Sequence, residues 1–133
     1  MILVDTSVWI DFLHGRSTAQ AALLARLIEG EEDICTCGIV LTEVLQGIRC
    51  EDQARRTERL LSNLVYLPTH RSAHLLAAQI YRSARRRGVT IRRSVDCLIA
   101  ACAIEAGTLL LHRDRDFEEI AKGSDLEIAE TLA

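Results

Sequence analysis

The sequence predicts an α/β fold in three layers: a central parallel sheet of four to five strands with helices on both faces. Two observations carry this expectation. Short aliphatic runs such as Ile2-Leu3-Val4 and Thr108 to Leu111 suit strands buried on both faces. Between such runs lie longer stretches in which apolar residues recur at helical spacing. With one Pro and seven Gly in 133 residues there is little room for linkers, so residues 1–133 are expected to form a single domain.

In chain order, Ile2 to Val4 make the first strand and Asp5 falls at its carboxyl end, the edge where open α/β sheets bind ligands. Asp5 is equally placed to cap the helix that follows. That helix runs from Thr6 to His14 with Val8, Trp9 and Phe12 on one side and stops at Gly15. Trp9 and Phe12 read as core rather than as a base-stacking platform. A second helix spans about Thr18 to Glu29, with Ala22, Leu23, Arg26 and Leu27 in register and Gly30 as its stop. Asp33 to Cys37 is a strand, Ile39 to Ile48 a helix striped by Val40, Val44 and Ile48, and Glu51 to Ser62 a charged amphipathic helix. Leu64 to Leu67 is a strand ended by Pro68. A long helix from His70 to Arg87 carries Ala73, Leu76, Ala77, Ile80 and Ala84. Ser94 caps the next helix, with Val95, Leu98, Ile99 and Cys102 on its buried stripe and an end before Gly107. Thr108 to Leu111 is a strand, a last helix starts near Asp116, and Leu126 to Ile128 can add an edge strand.

Composition excludes several classes. Hydrophobic residues at 49% and charged residues at 26% describe a soluble globular chain. No apolar run approaches the about 20 residues that span a bilayer, and the N-terminus lacks a signal peptide's basic start, so a cytoplasmic location is expected. Cys35, Cys37, Cys50, Cys97 and Cys102 are an odd number without secretory context, and no second close Cys pair or His pair completes a zinc site, so they read as structural thiols. His70 and His74 are one helical turn apart, but Arg71 stands where a zinc-protease motif needs Glu, and both read as surface residues.

The net charge of −3 conceals an uneven layout: from Arg59 to Val95 there are eight arginines and no acid. Arg85, Arg86, Arg87, Arg92 and Arg93 are therefore candidates to meet a polyanion. The competing reading is that Arg85 to Arg87 answer the dipole at a helix C-terminus.

The carboxylates outside that block converge. Asp5 ends a strand, Asp114 follows another, Glu43 rides a core helix, and Asp96 sits in the first turn of the Ser94 helix. Two carboxylates about 5 Å apart at an effective dielectric of about 20 repel by roughly 3 kcal/mol, so such a cluster must protonate or hold cations. A hard divalent ion, Mg²⁺ or Mn²⁺, suits oxygen ligands and activates water against phosphoryl groups. Asp116 with Glu119 matches a helix capping pair, which is preferred to direct ligation. Ser7 can orient an acid or a water, or cap the first helix.

Four blocks together carry a resemblance: Ile2-Leu3-Val4-Asp5-Thr6-Ser7, Leu41-Thr42-Glu43-Val44-Leu45-Gln46-Gly47, Ser94-Val95-Asp96-Cys97-Leu98-Ile99-Ala100-Ala101, and His112-Arg113-Asp114-Arg115-Asp116-Phe117. In this order and spacing the chain resembles PIN-domain ribonucleases of the VapC toxin type. The resemblance implies a PIN-like fold and an endoribonuclease using Mg²⁺ or Mn²⁺. It places the acids at Asp5, Glu43, Asp96 and Asp114, with Asp5, Asp96 and Asp114 on the metal and Asp116 and Ser7 as additional candidates. It also implies an RNA substrate, a VapB-type antitoxin, and a homodimer that assembles with that antitoxin. Two other classes stay open: a Mg²⁺-dependent phosphatase with Asp5 as nucleophile, although Ser7 stands where a second acid is usual, and a non-catalytic RNA-binding module.

Overall fold

The computed structural model describes residues 1–131. Among them are four strands and seven helices: β1 (Ile2–Val4), α1 (Thr6–Leu13), α2 (Ala19–Glu29), β2 (Ile34–Cys37), α3 (Gly38–Gln46), α4 (Glu51–Ser62), β3 (Val65–Leu67), α5 (Arg71–Arg86), α6 (Ser94–Ala106), β4 (Leu109–Leu111) and α7 (Arg115–Lys122). The strands are parallel in the order β3-β2-β1-β4. A fifth strand does not form at Leu126 to Ile128; that segment contributes one parallel bridge, Leu110 to Ile128.

Topology explains why the site lies where it does. From β1 the chain steps to β2 and then β3 on one side, then returns through α5 and α6 to place β4 on the other side of β1. The direction of winding therefore reverses between β1 and β4, and the crevice at a parallel sheet's carboxyl edge opens at such a reversal. Val4 pairs with Leu111, and the Asp5 amide donates to the Leu111 carbonyl at 2.9 Å, so the residues just beyond both strands emerge side by side. With right-handed crossovers, α1 to α4 cover one face and α5 and α6 the other, and the packing agrees: α1 meets α2 and α3, while α5, α6 and α7 pack together.

Leu3, Val4, Cys35, Leu110 and Leu111 are fully buried in the sheet. α6 is enclosed nearly all round, from Cys97 to Ala103 apart from Leu98, because Ala100, Ala101 and Ala103 are small enough to sit between the sheet and α5. This corrects the expected stripe: Val95 and Leu98 are only half-buried and line a groove beside α5. α2 also buries a face one residue off the expected register, Ala21 and Leu24 rather than Ala22, Leu23, Arg26 and Leu27. Its periodicity was ambiguous because nearly every residue there is apolar or alanine.

Two helix ends show what the chain uses. Gly107 closes α6 in the left-handed conformation at φ 66°, which glycine alone adopts without cost, and Thr108 then donates back to the Ala103 carbonyl. At α2 the expected Gly30 remains right-handed, and Glu31 takes the positive φ of 54° instead. Ser94 does not cap α6: the cap position is Arg93, which makes no side-chain cap bond, and Ser94 is the first helical residue.

Candidate active site and metal centre

Asp5 serves two ends at once. As N-cap of α1, its Oδ2 accepts from the Ser7 amide at 3.0 Å and from the Ser7 hydroxyl at 2.6 Å. Its Oδ1 is buried and has no partner among the described residues. Burial pushes the Asp5 carboxyl above its ordinary range against the pull of those Ser7 bonds, and nearby Glu43 adds to the rise. One oxygen of Asp5 thus caps α1 while the other is left unbonded among the described residues.

Asp96 repeats the pattern. It projects from the first turn of α6 at 0% exposure, its Oδ1 accepts from Arg93 at 2.8 Å, and its Oδ2 is buried without a partner among the described residues. Desolvation raises its pKa, opposed by Arg93 and reinforced by Asp5 and Asp114. Glu43, from α3, is held between the Thr6 hydroxyl, which donates to Oε1 at 2.8 Å, and Arg93, which donates to Oε2 at 3.1 Å. A single guanidinium therefore joins the acids of α3 and α6.

At the far side Asp114, not Asp116, caps α7. Asp114 Oδ1 accepts from the Asp116 amide at 3.0 Å and from Arg92 at 2.7 Å. The predicted capping pair of Asp116 and Glu119 is not made: Glu119 Oε1 accepts from Lys122, and Asp116 Oδ2 accepts from the Arg92 backbone amide at 3.1 Å and from its Nε at 3.2 Å. Chain geometry explains the exchange, since β4 ends at Leu111, three residues before Asp114, and delivers that residue, in extended conformation, to the start of the helix. Asp116 is thereby freed to turn inward, where it is 6% exposed.

Asp96, Asp114 and Asp116 each offer an oxygen, all within 4.8 Å of one another. The resemblance implies Asp5, Asp96 and Asp114 on the metal; the tightest triple contains Asp116 in place of Asp5, while the oxygens without a partner among the described residues belong to Asp5 and Asp96. Asp96 is common to both sets. An all-oxygen, carboxylate-rich donor set with two buried oxygens lacking hydrogen-bond partners fits a hard divalent cation, since a buried unsatisfied carboxylate oxygen is costly unless a cation or donor answers it. Thiolate and imidazole donors are absent from this cluster.

The arginines divide. Arg92 and Arg93, expected to face a polyanion, lie across the acids as described. Arg87 caps α5 and donates to the Glu119 carbonyl at 2.8 Å, and Arg85 lies over the Tyr81 ring at 5.9 Å. His70 and His74 are exposed on α5, as expected. Trp9 is fully buried and meets Phe12 edge-on, which is the core role expected of both.

Supporting residues escaped the sequence reading. Asp11, 2% exposed, takes Arg16 and Arg113 at 3.0 Å each, while the Arg113 amide donates to Ser7 Oγ at 3.1 Å. Asp11, Arg113 and Ser7 thus tie α1 to the loop after β4 and hold Asp5 in place. An acid on the otherwise apolar side of α1, beside Val8, Trp9 and Phe12, was the available signal. His112 Nδ1 accepts from the Asp114 amide at 3.1 Å, which leaves Nε2–H to donate to Glu118.

Comparison with known proteins identifies the family. Residues 2–123 match the family described as PIN domain. The chain is 38% identical over 131 residues to VapC ribonuclease Mb1587 of Mycobacterium bovis, covering 97% of this chain and 98% of that protein. It is equally similar to ribonuclease VapC11 of Mycobacterium tuberculosis, with the same identity and coverage. Among solved structures it superposes on VapBC2 of Rickettsia felis bound to a promoter DNA fragment, with a TM-score of 0.74 at 18% identity, covering 97% of this chain and 98% of that one. Four acidic blocks in one order, delivered to the reversal point of a parallel sheet, together with identity along nearly its whole length, establish that the chain belongs to the PIN-domain family, among the VapC ribonucleases.

Proposed function

We propose that this chain is a metal-dependent endoribonuclease and the toxin of a toxin-antitoxin pair. The observation that carries the proposal is the pair of buried carboxylate oxygens, Asp5 Oδ1 and Asp96 Oδ2, left without donors inside a cluster completed by Glu43, Asp114 and Asp116. In this reading Asp5, Asp96 and Asp114 hold Mg²⁺, with Mn²⁺ as a substitute, and Asp116 joins them. The bound cation would supply an activated water and neutralise charge developing on the phosphoryl group. Ser7 holds the Asp5 carboxylate so that Oδ1 faces the cluster. Glu43, oriented by Thr6 and Arg93, would accept the proton of the attacking water as the phosphodiester P–O bond breaks, the leaving oxygen taking a proton from solvent. Once released from Asp114 and Asp116, Arg92 can donate to a phosphate oxygen.

The similarity to proteins named VapC ribonucleases supports an RNA substrate, and the VapBC complexes among structures of the same fold support a VapB-type antitoxin as partner. We extend the reading to one domain over residues 1–133, acting in the cytoplasm as a homodimer that assembles further with its antitoxin. No helix of the described residues is long and apolar enough to cross a membrane. The test is incubation of the purified, antitoxin-free protein with total RNA in Mg²⁺ or in EDTA, with mapping of the cut ends. Discrete cuts that vanish in EDTA are expected. Intact RNA in both conditions, from folded protein, would overturn the proposal.

A further inference from the structure

A groove between α5 and α6 runs up to the acid cluster. It encloses about 570 Å³, within the about 300–1,000 Å³ typical of small-ligand sites. Its floor is apolar, with Ala77, Val95 and Leu98, and the Tyr81 ring stands at its side. Arg82 and Arg92 supply its charge, and no acidic residue lines it. Arg92 belongs to two places at once: it lines the groove and binds Asp114 and Asp116. The groove therefore opens onto the cluster through a guanidinium, inside the 59–95 window that holds eight arginines and no carboxylate.

We infer that this groove is a nucleotide subsite, which takes a residue of single-stranded RNA next to the scissile phosphate by stacking its base on Tyr81 and pairing its phosphate with Arg82. The inference rests on the ribonuclease reading and deepens it. Charge decides the occupant: with Arg92 paired to Asp114 and Asp116 at its mouth, the groove keeps the Arg82 guanidinium for a phosphate and is lined by no acid, and an aromatic face beside that charge suits any base without reading its sequence.

The test is fluorescence anisotropy of a short labelled single-stranded RNA, in EDTA so that binding is read without cleavage. Tyr81→Leu keeps an apolar side chain but loses the aromatic face, and should weaken binding about 5- to 100-fold. Tyr81→Phe should bind like the wild type. Arg82→Gln should lower the slope of log affinity against log salt by about 0.7. Wild-type binding that is indifferent to both Tyr81→Leu and Arg82→Gln, with melting temperatures unchanged, overturns the subsite and leaves the ribonuclease reading standing. A change in the association state of Tyr81→Leu with RNA binding intact assigns the groove to a protein and overturns it likewise. Wild-type protein that neither binds nor cleaves RNA overturns both.

Discussion

The two sides of the acid cluster are built differently. Asp5 and Asp96 are at most 1% exposed, each has one oxygen tied by the chain and one left bare, and burial raises both carboxyls. Asp114 and Asp116 lie on the side where an exposed guanidinium reaches both of them, Asp116 buried and Asp114 partly so, and Asp114 is also satisfied by the α7 backbone. The difference teaches that the deep pair keeps two carboxylate oxygens unanswered by the described residues, which is what the proposed cation would supply. The other pair is stable without one. A buried carboxylate oxygen without a donor is costly unless a cation or donor answers it, which is why we propose the metal nearer to Asp5 and Asp96.

The sharpest way to break this contrast is to neutralise each side separately. Asp5→Asn and Asp96→Asn remove a charge without changing side-chain size, and each should lower metal-dependent RNA cleavage by at least about 100-fold. Asp116→Asn should cost closer to about 10-fold, because its carboxylate is already engaged by the Arg92 amide and guanidinium and is the less available to a cation. Cleavage assays on folded variants, checked by circular dichroism, measure the difference. Equal losses on both sides would show that these bonds do not rank the acids.

A second test addresses the cation already in place. Arg93 joins Asp96 to Glu43 and carries a positive charge beside the proposed metal position. Arg93→Gln should therefore tighten Mn²⁺ binding by about tenfold in calorimetry, since a like charge near the ion is removed. Weaker binding instead would show that Arg93 orients the ligands more than it repels the ion.

How far the sequence disclosed all this depends on which kind of fact is asked for. Asp5 and Asp114 were legible because an aliphatic run that stops on an acid marks the end of a buried strand, and parallel strands share one functional edge. Asp96 was legible as an acid in a first helical turn, and Glu43 as an acid among core positions. The choice of cap at α7 was not legible: Asp114 and Asp116 are both capping residues two positions apart, and the exit angle of β4 decides between them. Nor could the arginine block be divided. Arg87, Arg92 and Arg93 look alike in sequence, yet one binds the Glu119 carbonyl and the other two bind acids from three different elements. Such partners are set by tertiary packing, which local pattern does not report.

The cap itself offers a smaller effect that separates structure from chemistry. Asp114→Ala removes the bond to the Asp116 amide and should cost about 1 kcal/mol of stability. Asp114→Asn retains a capping oxygen and should unfold at nearly the wild-type denaturant midpoint. Cleavage should fall in both, because both lose the charge. Should Asp114→Asn cleave normally while Asp114→Ala does not, Asp114 acts only by starting α7.

The smallest effect concerns stability against pH without metal. Burial raises the Asp5 carboxyl above its reference of 3.8 in the folded state. Between the reference and the raised value the folded chain binds more protons than the unfolded chain, so stability falls as pH rises through that window, and above it the full cost remains. Asp5→Asn removes this cost and still offers an oxygen to the Ser7 amide. In EDTA at neutral pH it should melt about 3 °C above the wild type, with the gap closing as pH falls toward the reference value. Saturating Mg²⁺ should reverse the order, because only the wild type then gains binding energy in the folded state. A wild type that is the more stable protein in EDTA at neutral pH would mean that Arg93 and Ser7 already answer the Asp5 charge, and the deep side of the cluster would then be no hungrier for a cation than the other one.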